Sequence, residues 1–127
     1  MAGTYIEGGE VADWARRLGP SYQVYHRTQF PAWLRAIYRG QGRPDMVAIN
    51  PRRRTILVGD VTAQPTADHI QKTLNYAHRL SQNLPPQYRR FGVLAQERYW
   101  GIPIERRPEL RTRSNVSRRF VIRRPTR

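Results

Sequence analysis

The chain has no cysteine, a single lysine and no apolar run long enough to cross a bilayer. Without cysteine there is neither a disulfide scaffold nor a thiolate metal site, and the composition fits a reducing compartment. No basic-then-apolar leader is present, so no targeting signal or membrane segment is expected in this chain. Acid is scarce as well: nine Asp and Glu stand against 23 basic residues, 22 of them Arg, for a formal charge of +14 and a pI near 11.5. A protein that tolerates such self-repulsion is expected to meet a polyanion, nucleic acid first of all; the competing reading is a solvated arginine-rich surface. At 127 residues the expectation is one domain with a modest core, ending in an Arg-rich segment over 106–127 that holds nine of the 22 Arg.

Because carboxylates are few, two in apolar surroundings stand out. Asp45-Met46-Val47-Ala48-Ile49-Asn50 and Thr55-Ile56-Leu57-Val58-Gly59-Asp60-Val61-Thr62 are Val- and Ile-rich runs separated by the turn Pro51 to Arg54. They read as adjacent antiparallel strands. A period of two places Ile56, Val58, Asp60 and Thr62 on one face and Leu57, Gly59 and Val61 on the other, so the second strand is expected to be central. An ionised Asp60 there needs a cation, a hydrogen-bond network or a metal as partner.

The only lysine, Lys72, lies in the next segment, Ala67 to Leu80. Its pattern is helical, with Ile70, Leu74 and Ala77 on an apolar stripe, Thr66 as N-cap and Asp68 in the first turn. His69, Lys72, Tyr76 and Arg79 form a polar stripe beside it. Helical side chains lean toward the N-terminus, which aims Lys72 back at the strand end that carries Asp60.

Other chemistries lack their parts. Gly40-Gln41-Gly42 is not a dinucleotide or P-loop fingerprint, His26, His69 and His78 do not have zinc spacing, and no serine sits in a nucleophile elbow. A metal-free ribonuclease built on His69, Lys72 and Tyr76 would leave Asp45 and Asp60 without a role.

Pro44-Asp45, fourteen intervening residues, then Asp60-Val61-Thr62 resembles the PD-(D/E)xK, restriction-endonuclease-like nuclease superfamily. The resemblance implies an α/β fold with a mixed central sheet flanked by helices, and Mg²⁺ or Mn²⁺ held by Asp45 and Asp60. Thr62 stands where the family has its catalytic Lys, and Lys72 looks like that residue moved to the following helix. Gln71-Lys72 followed by Tyr76 resembles a Gln/Tyr helix motif of some branches. Gly59-Asp60-Val61-Thr62 followed by the pattern from His69 to Ala77 is similar to nuclease domains at the C-termini of bacterial polymorphic toxins and secretion effectors.

That resemblance implies a metal-dependent endonuclease, a DNase acting in the target-cell cytoplasm after secretion or delivery within a larger protein, with an acidic immunity protein as partner. An RNase toxin and a non-catalytic nucleic-acid-binding module are the alternatives. Glu10, beside the apolar stripe of a first helix, is the candidate third acid, with an exposed helix Glu as the plain reading. His69 is read as a helix-surface residue or a phosphate contact. Arg43, Gln71, Tyr76, Arg79, Arg118 and Arg119 are the candidate nucleic-acid contacts.

Around this centre the sequence predicts a helix over Tyr5 to Leu18, loosened by Gly8-Gly9, with frayed residues 1–4 before it. It also predicts an extended piece over Ser21 to Arg27 and a helix over Ala32 to Arg39 behind Pro31. A third strand over Arg90 to Ala95 is expected parallel to the Asp60 strand, followed by an irregular segment from Tyr99 and a strand-like piece at Phe120 to Ile122.

Overall fold

The structure is a computed structural model that describes residues 2–62, 66–99 and 117–122, with side chains described over 9–62 and 66–99. In chain order the elements are α1 (Ala2–Leu18), β1 (Gln23–His26), α2 (Ala32–Ile37), β2 (Met46–Asn50), β3 (Thr55–Thr62), α3 (Ala67–Gln82), β4 (Gly92–Tyr99) and β5 (Ser117–Ile122). The strands form one five-stranded sheet in the order β1-β2-β3-β4-β5. Only β3 and β4 run parallel; every other neighbouring pair is antiparallel. This is the mixed-sheet α/β domain with flanking helices that the sequence predicts.

The expected hairpin is the centre of the sheet, with Val47 opposite Val58 and Ile49 opposite Ile56. Its turn is held locally. Asn50 Oδ1 accepts the Arg53 N–H at 3.2 Å, and Gly92 N–H donates to Arg54 O at 2.9 Å, tying the turn to the start of β4. Arg54 has φ 53°, the left-handed region, which costs an L residue roughly 1 to 2 kcal/mol. The single parallel junction needs a crossover, and α3 supplies it. Thr66 caps that helix as predicted, its hydroxyl accepting the His69 N–H at 3.2 Å, with Asp68 in the first turn.

Strand alternation divides the core in two. On one face Val47, Ile49, Ile56, Val58, Val93 and Ala95 pack with Leu34 and Tyr38 of the α2 region and with Ala77 and Leu80 of α3. On the other, Met46, Ala48, Leu57 and Val61 pack with Val11 and Trp14 of α1. Gly59 is in the middle of a buried strand because Trp14 lies on it: a Cβ there would stand 2.7 Å from the indole.

Several boundaries differ from expectation. α1 begins at Ala2 and runs through Gly8-Gly9, where a loosened start was expected, and α2 stops at Ile37 rather than Arg39. The larger difference is β4, which continues past Ala95 to Tyr99 and keeps pace with all eight residues of β3. Charges at Glu97 and Arg98 give the sequence the look of a strand that has ended; both are buried because each meets an opposite charge from another element. The piece at Phe120 to Ile122 is the end of β5. The rest of the expected Arg-rich segment 106–127, and the segment 100–104, lie outside the described residues.

Candidate active site

Asp45 directly precedes β2, and the pairing of Met46 with Gly59 brings it beside Asp60 on the neighbouring strand. The parallel register then pairs Asp60 with Glu97. One acid from each of three adjacent chain segments thus stands in a row on the face covered by α3. They are 5%, 4% and 0% exposed, so all three need partners within the protein.

Each Asp is fixed by the other's strand. Asp45 Oδ2 accepts the Val61 N–H at 2.8 Å, and Asp60 Oδ1 accepts the Asp45 N–H at 3.1 Å. Their second oxygens meet cations: Asp45 Oδ1 lies 3.4 Å from Arg27 Nη1, and Asp60 Oδ2 lies 3.2 Å from His69 Nε2. His69 continues the chain, its Nδ1 meeting Glu97 Oε2, while the Tyr99 hydroxyl donates to Glu97 Oε1 at 3.1 Å. His69 therefore bridges two buried carboxylates from the first turn of α3.

The charges follow from this geometry. Hydrogen bonds to Asp60 and Glu97 raise the His69 pKa to about 9 against the opposing effect of burial, so the ring is an imidazolium at neutral pH. Burial alone would push the Asp60 carboxyl up, but its contacts with His69 and Asp45 outweigh that and hold it below the usual carboxylate range.

A cleft of about 430 Å³ opens on this row. Asp45, Asp60 and His69 form part of its wall, and Arg27, Arg43, Lys72 and Tyr76 surround them. Lys72 reaches it from the second turn of α3, with Nζ 5.8 Å from the centre of the Tyr76 ring. Gly42 admits the Tyr76 hydroxyl, since a Cβ at that position would meet it at 2.7 Å.

Of the sequence-nominated residues, Asp45, Asp60, Lys72, His69, Arg43 and Tyr76 come together here. His69 is not a surface residue, with its side chain only 20% exposed. Thr62 ends β3 half-buried, opposite Tyr99, and is not among the cleft-lining residues. Gln71 and Arg79 line an adjoining depression of about 320 Å³ that shares Lys72 and Tyr76 with the cleft. Arg79 also has a structural task, donating from Nε to Ile37 O at the end of α2. Arg118 and Arg119 pair through β5 with Glu97 and Gln96; their side chains lie outside the described set.

Glu10 requires a correction. α1 covers the opposite face of the sheet, where Glu10 Oε2 meets Arg98 Nε at 3.1 Å and Asp13 also engages Arg98. Helical periodicity gives the buried stripe of α1 but not which face of the sheet receives it. The acid that joins the row is Glu97, together with Arg27 as a counter-charge, and the sequence does carry a signal for it: Val93, Ala95, Glu97 and Tyr99 continue one alternating face.

Among the described residues, no three His, Asp or Glu side chains converge as a ready metal-binding group. Asp45 and Asp60 are carboxylates of the type a hard divalent cation takes, but the second oxygen of each is engaged by Arg27 or His69, so a cation between them would have to displace those contacts. No helix among the described residues is long and apolar enough to cross a membrane. Comparison of the chain with protein-family models, with curated proteins and with solved structures finds no match.

Proposed function

We propose that this protein is a metal-dependent endonuclease that hydrolyses phosphodiester bonds, with DNA as the favoured substrate. The observation that carries the reading is the convergence of Asp45, Asp60 and Lys72, from two strands and the following helix, on one cleft rimmed by Arg27 and Arg43. It is the arrangement expected if Lys72 does from α3 what the residue at Thr62 cannot. Asp45 and Asp60 would hold Mg²⁺ or Mn²⁺, which when bound supplies an activated water and offsets charge at the phosphate.

The chain's own residues account for the rest. Arg27 and Arg43 draw a phosphate into the cleft and neutralise its charge. Lys72 is a compact ammonium placed to orient the attacking water or to stabilise charge on the phosphoryl oxygens as the bond to the leaving oxygen breaks. The mutual backbone hydrogen bonds of Asp45 and Asp60 keep the two carboxylates rigid through one oxygen of each. The toxin or effector setting, delivery within a larger protein and an acidic immunity partner belong to the same proposal and rest on the resemblance carried by Gly59 to Thr62 and His69 to Ala77.

One observation favours a second reading. His69 already gives Asp60 and Glu97 a shared cation by bridging them, as it would in a non-catalytic nucleic-acid-binding module where the acids form an ion-pair network. Incubation of supercoiled plasmid and of a structured RNA with Mg²⁺, with Mn²⁺ and with EDTA separates the two. Metal-dependent cutting is expected, with DNA cut faster, and Asp60→Asn should lower it at least about a thousandfold while keeping the acceptor for the Asp45 N–H and near-normal binding. Full-rate cutting in EDTA, or none under any condition with tight binding retained, would refute it.

A further inference from the structure

The end of the sheet farthest from the cleft carries a second concentration of charge. Arg52, Arg53 and Arg54 lie in the β2–β3 turn, and Arg89 and Arg90 lie one residue before β4; all five are exposed. The two groups are neighbours because Thr55 pairs with Gly92 and Arg54 O accepts the Gly92 N–H at 2.9 Å. Every acid whose side chain is described lies elsewhere: Asp45, Asp60, Asp68 and Glu97 around the cleft, and Glu10 and Asp13 at Arg98 near the far end of β4. Asp60 is five residues along β3 from the hairpin, which puts the patch on the order of 20 Å from the cleft.

Two features set this patch apart from a scattered basic surface. The turn is anchored to β4 and braced by the Asn50 side chain, so its arginines are held in fixed relation to those at 89 and 90. The sequence also places Arg54 where φ is 53°, a position that glycine or asparagine would fill without strain. The aromatic residues beside it, Tyr88 and Phe91, are partly buried and pack against the core and each other. Protein interfaces are centred on buried aromatic and aliphatic anchors, whereas contacts to a phosphate backbone need only charge and hydrogen-bond donors.

We infer that Arg52, Arg53, Arg54, Arg89 and Arg90 form a second nucleic-acid-binding surface, which holds the phosphate backbone of a segment other than the one in the cleft. A single chain then bridges two strands or duplexes. This goes beyond the proposed hydrolysis and stands whether or not the cleft cuts.

The test is bridging in EDTA, where metal-dependent cutting is silent. Biotinylated duplex on beads is loaded with the protein at a concentration where it sediments as a monomer, and capture of a second, fluorescent duplex is measured. Arg52→Ala/Arg53→Ala/Arg54→Gly removes three charges, and the glycine suits the left-handed position, so thermal stability should be kept. Wild-type protein should capture the second duplex. The triple variant should lose at least about tenfold in capture while still binding the first duplex, and the slope of log K against log salt should fall by about 2 to 3 units, from about 0.9 per phosphate contact. Should a folded triple variant fail there, Arg89→Ala/Arg90→Ala must reproduce its loss. Unchanged capture and salt slope in both variants would overturn the inference. So would a loss of binding to poly-glutamate with duplex capture intact, which would assign the patch to an acidic protein.

Discussion

Replacing His69 by Ala should remove a pH-dependent part of the protein's stability and leave its buried carboxylates in larger excess over their cations. In the folded chain the ring is held between Asp60 and Glu97 and its pKa is raised from 6.5 to about 9. A group whose folded pKa lies above its unfolded value stabilises fully below the unfolded value, and that contribution is lost as pH rises through the folded one. The window is therefore about pH 6.5 to 9, at about 1.4 kcal/mol per unit, for a total of about 3 kcal/mol, a large share of an ordinary domain's stability. His69→Ala also leaves Glu97, wholly buried, without its cation, so at pH 7 the loss should be about 3 to 5 kcal/mol. Glu97→Gln keeps an acceptor for Tyr99 and removes the charge, so adding it to His69→Ala should recover part of that loss. Urea denaturation in EDTA at half-unit steps from pH 6 to 9.5, for wild type, both single variants and the double, gives the slope and the coupling energy. Parallel pH dependences for wild type and His69→Ala, or strictly additive single losses, would refute the bridge.

Lys72→Ala should abolish most metal-dependent cutting, by about a hundredfold or more in rate, with stability within about 0.5 kcal/mol of wild type because the position is an exposed helix site. Lys72→Arg should also cut poorly, since a planar fork does not replace a compact ammonium; a fully active alanine variant in the plasmid assay would remove Lys72 from the mechanism. Gly59→Ala should destabilise by about 1 to 3 kcal/mol, as its Cβ would press on the Trp14 ring at 2.7 Å. An unchanged melting midpoint would mean that α1 shifts without cost.

The hairpin and its two acids were legible because strand alternation and turn chemistry are local, and Asp45 and Asp60 are only 15 residues apart. The helix carrying Lys72 and its cap were legible for the same reason, but its buried face is Thr73, Tyr76, Ala77 and Leu80 rather than the expected stripe of Ile70, Leu74 and Ala77, and Tyr76 of the expected polar stripe packs in the core. What escaped was set by partners remote in the chain. His69 meets Glu97 across 28 residues, and Arg98 meets the Glu10 backbone across 88. Those distant charges are what make a polar stretch, Gln96 to Arg98, a buried strand rather than a strand end. For Glu10 the missing fact was the side of the sheet on which α1 packs, which residue spacing within the helix does not contain.

That dependence on β4 has a kinetic side. The β2–β3 hairpin closes a short loop, whereas β4 must return alongside β3 through the α3 crossover, the slower kind of pairing because its loop is closed before any contact rewards it. Asp45 and Asp60 can meet early in folding, while His69 has no Glu97 to bridge to, and α1 no Arg98 to hold it, until β4 docks. The networks on the two faces of the sheet are thus expected to be completed together, when β4 docks. Substitutions at Glu97 or Arg98 are accordingly expected to speed unfolding more than they slow folding, and a chain halted before β4 would carry both aspartates with no working cleft around them.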